Sequence, residues 1–171
     1  MTMRLKCLGL ILFFAISYAL DQDDSLPVHQ ELKIKLYEML YQDKMGNLEN
    51  PKEKQDFIRP FIQSHDGEEI YRFPNKNIDD VYRAYNFIHE HDNFGPSILH
   101  KELPKTNKAF RKDSTSNIPG YVLIYTWKGD NYLEITNVRL QGDELCGKEI
   151  LEFRSDDKQT TLTTSLEQYC F

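Results

Sequence analysis

The apolar residues of this 171-residue chain change period halfway along it. Up to about residue 91 they recur at spacings of three and four. From residue 121 they alternate, or run in short aromatic and β-branched blocks. The first period buries one stripe of a helix and the second buries one face of a strand. A sheet with one apolar face has to be covered, and the helices upstream are the available cover. The fold class is therefore α+β. The expected architecture is three N-terminal helices packed on a C-terminal antiparallel sheet of four or five strands.

The first expected helix carries Val28, Leu32, Leu36, Met39 and Leu40 as its stripe, flanked by Tyr37 and Tyr41, and ends near Gly46 and Asn47. Ser25 is the cap and Pro27 lies near its first turn, where a missing N–H costs nothing. The second begins at Asn50-Pro51-Lys52-Glu53, with Asn50 as cap and Glu53 at the capping-box position. Phe57, Ile58, Phe61 and Ile62 would face inward unless Pro60 stops the helix early. Ile70–Phe73 reads as a short strand closed by Pro74. The third helix starts after Asn77, with Asp80 three residues on, and turns Ile78, Val81, Tyr82, Tyr85 and Ile88 inward beside Ala84. No period holds over 92–120, which reads as an irregular loop region. Strands then follow at 121–127, 132–140, 149–154 and 159–166, joined by turns short enough to force antiparallel neighbours.

This order of elements resembles the nuclear transport factor 2-like cone fold, in which helices cover a curved sheet and often leave a pocket. The resemblance is one of element order over most of the chain. It carries no family motif, so it assigns no role to any residue.

Residues 1–19 read as a secretory signal peptide. Arg4 and Lys6 precede a short apolar run, Cys7 to Ile16, and Ser17 and Ala19 are the small residues before a cut. The run is too short for a bilayer, which takes about 20 residues. Residues 20–171 would then be a single exported domain. Loss of Arg4 and Lys6 takes the net charge from −6 to −8. Such a charge excludes an evenly basic nucleic-acid footprint. Cys146 and Cys170 remain and, in an oxidising compartment, pair as one disulfide. That bond closes a loop of about 24 residues and contributes about 3–4 kcal/mol by chain entropy.

Signs of chemistry are sparse. His89-Glu90-His91 is the tightest histidine cluster, but positions i and i+2 of a helix point apart, so no metal site is expected. Ser64-His65-Asp66 has the letters of a triad but reads as a turn before Gly67, because triad members meet through folding. There is no Gly-x-Ser-x-Gly elbow and no glycine-rich phosphate loop, and no cofactor is expected. Two features stand out. Lys101, Lys105, Lys108, Arg111 and Lys112 oppose Glu102 alone over 101–112. Tyr121, Tyr125 and Trp127 share one face of a strand with Leu123, opposite Val122, Ile124 and Thr126. The aromatic face either lines a pocket or interface, or packs beneath the helices. The expected function is a secreted, non-enzymatic binding protein. It would engage an extracellular protein through Tyr121, Tyr125, Trp127, Lys105, Lys108 and Arg111, with no membrane span and no nucleic acid. The first alternative is a carrier of a small apolar molecule or lipid, with its pocket between helices and sheet. The second is a small secreted hydrolase using His65, His89 or His100.

Overall fold

The computed structural model describes residues 26–91, 99–115, 119–141 and 144–168, with the side chains of 26–29 and 168 left aside. Among them the chain runs α1 (Leu26–Leu40), α2 (Gln42–Met45), α3 (Pro51–Ile58), a 3-10 turn (Arg59–Phe61), β1 (Ile62–His65), β2 (Glu68–Pro74) and α4 (Ile78–His91). It continues with β3 (Lys108–Lys112), β4 (Gly120–Trp127), β5 (Tyr132–Gln141), β6 (Glu144–Ser155) and β7 (Gln159–Gln168). The class is α+β, and the sheet is antiparallel throughout with strand order β1-β2-β7-β6-β5-β4-β3. The signal segment 1–19, Ser25, the turn at Gly142 and Asp143, and Cys170 all lie outside the described residues.

The sheet has seven strands, not four or five. The first addition is β1. The helix that starts at Pro51 stops at Ile58, because Pro60 has no N–H to continue the ladder, and Ile62 opens a strand. Asp66 and Gly67 then turn that strand back with φ of 47° and 80°. Positive φ at both central residues is what a two-residue hairpin turn of the I′ kind requires. The second addition is β3, inside the stretch read as irregular. It is an edge strand of Lys-Ala-Phe-Arg-Lys composition, whose only large apolar residue is Phe110. Edge strands commonly carry such charges, which hide the alternation and discourage pairing with another chain.

The first expected helix is also divided. Tyr41 leaves helical geometry at φ −131°, separating α1 from α2. Its phenol donates to Pro74 O at 2.8 Å, and that of Tyr37 donates to Arg72 O at 2.8 Å. Two tyrosines one turn apart thus fasten α1 to the β2 backbone. Tyr37 is in the core while Met39 is exposed, so the buried stripe is rotated from the one expected. The starts of α3 and α4 follow their sequences. Asn50 Oδ1 accepts from Glu53 N and Asn77 Oδ1 from Asp80 N, both at 2.9 Å. Glu53 reaches back to Glu49 N rather than to the cap residue itself. All six inward residues expected on α4 are buried.

Alternation sorts the sheet into two faces. Tyr71, Phe73, Leu162, Leu151, Phe153, Leu133, Ile135, Leu123 and Tyr125 point to the helix side and are buried. Each such side chain taken from water stabilises the fold by about 1.5–3 kcal/mol before entropy is charged against it. Tyr37 stacks on Phe73 at 4.9 Å between ring centroids, and Tyr82 lies against Tyr125 and Phe153. The opposite face holds Thr161, Thr163 and Ser165 of β7, flanked by charged residues of β2 and β6. Among the described residues no helix is long and apolar enough to cross a membrane.

Candidate functional site

The aromatic strand resolves inward. Tyr125 is fully buried, so it is absent from the surface on which it was expected to meet a partner. Its hydroxyl pairs with that of Tyr82 at 2.9 Å and accepts from His100 N at 2.9 Å. The Tyr82 phenol and Asn86 Nδ2 both donate to His100 O. Burial raises both phenols above their ordinary value, Tyr82 most, so they are neutral hydrogen-bond donors. Trp127 is half-buried and its indole N–H donates to Pro104 O at 2.8 Å. Tyr121 is half-buried on the same side. Tyr125 and Trp127 thus clamp the segment around 100–104 to the sheet.

The basic residues of 101–112 are spread over both sides of β3 and the start of α4. Lys105 reaches Asp79 at the start of α4, at 2.9 Å. Lys108 is the direct partner of Tyr125 and holds its ammonium 4.9 Å from the Phe110 ring centroid. Arg111 lies on the other side of β3 and meets Asp113 at 2.6 Å. The expected surface of aromatic and basic side chains is therefore not assembled as one patch.

The histidines are dispersed too. His65 is exposed beside Asp66, and His91 Nδ1 meets Phe87 O at 2.9 Å. His100 stacks on Phe110 and meets Glu102 O through Nδ1. Among the described residues no three His, Cys, Asp or Glu side chains are placed to hold one metal ion. Cys146 is half-buried on β6, one residue before the last described pair, Gly147 opposite Gln168.

What the structure does assemble is a cleft of about 700 Å³ on the face of β2, β7 and β6 that points away from the helices. Cross-strand register builds it in rows. In the first, Arg72 and Arg154 are both direct partners of Thr161, so the two arginines stand on either side of one threonine. In the second, Thr163 lies between Ile70 and Glu152, and in the third Ser165 lies between Glu68 and Ile150. Arginines stand in the first row, with Asp156 at its rim, and carboxylates follow in the second and third, so charges of both signs surround the hydroxyls.

Neighbours hold the side chains in place. Arg154 meets Glu152 at 2.9 Å and lies over the Tyr132 ring at 5.1 Å, while Arg72 donates to Gln63 Oε1 at 3.1 Å. Asp156 rims the cleft, and two backbone N–H groups, of Lys158 and Gln159, hold its carboxyl below the usual range. One arginine held by a carboxylate and a ring and another by an amide oxygen, beside hydroxyls in a shallow hollow, suit recognition of polar groups by fork-shaped hydrogen bonds.

Sequence reasoning missed this site. Arg72 and Arg154 stand 82 positions apart and meet only because β2 pairs with the last strand. The available signal was the alternation of Thr161, Thr163 and Ser165 with Leu162 and Leu166 along β7. Comparison with protein-family models, with curated proteins and with solved structures returned no match.

Proposed function

We propose that the protein is an exported, non-enzymatic binding protein that engages a protein partner with the face of its sheet not covered by helices. The observation that carries this reading is the cleft over β2, β7 and β6, with Arg72 and Arg154 on either side of Thr161. Arginine holds its proton throughout the accessible pH range, so it binds and orients but does not shuttle protons. Glu152 is engaged by one of those arginines. The mixed charge suits a polypeptide, which offers carboxylates, ammonium groups and amides together. The basic β3 edge, with Lys108, Arg111 and Lys112, supplies a second exposed charged surface.

Export is part of the proposal and rests on the signal-like residues 1–19. A Cys146–Cys170 disulfide belongs with it. Its support is the sequence, which leaves an exported chain with two cysteines, Cys146 and Cys170, in an oxidising compartment. The cone-like fold is supported by the order of the elements and by helices on one face of the sheet. The carrier alternative loses support on the helix side, where Tyr37, Tyr82, Tyr125, Phe73 and Phe153 fill the centre.

The test begins with the mature chain as bait in the extracellular fluid of its source, followed by purification of the captured protein. Arg72→Glu with Arg154→Glu is expected to weaken binding at least about tenfold at an unchanged melting temperature, while Lys105→Ala leaves it intact. Undiminished affinity in the folded double variant overturns the site.

A further inference from the structure

A second constellation lies on the helix side of the sheet, apart from the cleft. Asn137 of β5 and Glu149 of β6 are direct cross-strand partners, and Asn137 Nδ2 donates to Glu149 Oε2 at 3.2 Å. Asn137 is only 1% exposed, yet its Oδ1 accepts no hydrogen bond among the described residues. From α4 above, His89 brings a buried Nε2 that is likewise without a partner among the described residues. The His89 ring packs on Tyr85 at 4.4 Å between centroids. Leaving a buried polar atom unpaired costs about 1–3 kcal/mol, so these two atoms need an explanation.

The surroundings define what would satisfy them. Glu69 of β2 is already engaged by Lys33 of α1 and by the Tyr71 phenol. Tyr85 is buried, and both its burial and the negative charges of Glu149 and Glu69 keep its phenol neutral, against the opposing charge of Arg139 on β5. Burial lowers the basicity of His89, which the Glu149 charge partly opposes. The acceptors left over are the Glu149 carboxylate and the Asn137 Oδ1, with the His89 ring nitrogen able to give or take a hydrogen bond according to its tautomer. A metal ion of the zinc kind would want three or four His, Cys or carboxylate ligands, more than this group offers. Leu166, directly opposite Glu149 on β7 and on the helix side, is 51% exposed, so this end of the covered face is reachable from solvent.

We propose that Asn137, Glu149 and His89 form a binding site for a small organic ammonium ion, with Tyr85 as the aromatic wall beside it. The ammonium donates to Glu149 and Asn137 Oδ1, and its charge balances the carboxylate. The aromatic wall adds attraction for the cation and for a hydrophobic tail. Protonation of His89 places a competing positive charge beside Glu149, so affinity falls as the solution is acidified.

The experiment is calorimetric titration of the full mature chain with tyramine near pH 7.5, and with p-cresol, which has the ring without the amine. Tyramine is expected to bind, p-cresol to bind at least about tenfold more weakly, and Glu149→Gln to weaken tyramine by a similar factor. In the unmodified protein, followed from about pH 7.5 down to about pH 5, tyramine affinity is expected to hold above about pH 6.5 and to drop below it, because burial lowers the basicity of His89. This last series needs no variant, so it decides the matter even if Glu149→Gln fails to fold. No tyramine binding, equal binding of p-cresol, or an affinity flat across that pH range overturns the proposal.

Discussion

The two faces of β2, β7 and β6 are written by alternate residues of the same three strands, and they differ in almost every property. On the helix side stand Tyr71, Phe73, Leu162, Leu151 and Phe153, all buried. One residue away along each strand stand Ile70, Arg72, Thr161, Thr163, Glu152 and Arg154, lining an open cleft. The covered face is held by packing, and the open face by pairwise hydrogen bonds and charge. A period of two lets one set of strands serve both purposes, because a substitution on one face leaves the other in place. Over these three strands stability is therefore concentrated on the helix side, and the surface offered to a protein partner lies on the other.

The strongest way to break this comparison is to hollow out the covered face. Phe153→Ala removes a fully buried ring and is expected to cost about 3–5 kcal/mol, read as a drop in urea midpoint. A cost below about 1 kcal/mol would mean that the packing described here is not what holds the sheet. Next in size is Tyr125→Phe. The ring stays and the hydroxyl goes, leaving His100 N and the Tyr82 hydroxyl without their common partner. The expected cost is about 1–3 kcal/mol, together with faster amide exchange at His100.

Smaller again is a pH effect. The folded-state pKa of His89 lies below its ordinary value because of burial. The unfolded chain therefore takes up the proton first. Its contribution to stability is complete above about pH 6.5, falls as the pH drops below that value, and levels off once the folded His89 is also protonated. Urea midpoints measured down that range should decline less steeply for His89→Gln than for the unmodified protein. At the bottom of the scale is Thr163→Ala on the open face, expected to stay within about 0.5 kcal/mol of the unmodified protein by the same measurement. A large loss there would mean that the open face is part of the folded core.

What could be read from the residues follows the same division. The inner face of α4 was legible because Ile78, Val81, Tyr82, Tyr85 and Ile88 fall on one stripe, and the capping pair Asn77 and Asp80 marks its start. The hairpin at Lys128–Asn131 was legible from Gly129, which takes a φ of 75°. β3 was not, because an edge strand with a single inward ring shows no alternation. Nor was β1, since Phe57, Ile58, Phe61 and Ile62 fit a helical spacing and only Pro60 spoke against it. The side on which Tyr125 and Trp127 would lie stayed open, because either face of an aromatic strand can meet a helix. The arginine and threonine row was out of reach, since nothing local in Arg72 or Arg154 records that β2 joins the sheet beside β7.

The central claim is that the centre of the helix-covered face is sealed and the opposite face is free to bind a partner. Hydroxyl-radical footprinting of the unmodified mature protein, read residue by residue by mass spectrometry, tests it without any substitution. Ile124 and Tyr132, on the open face, should be oxidised readily, and Tyr125 and Phe153 should be protected to the level of the deepest core. Ready oxidation of Tyr125, or protection of Ile124 and Tyr132 equal to that of Phe153, would contradict the account.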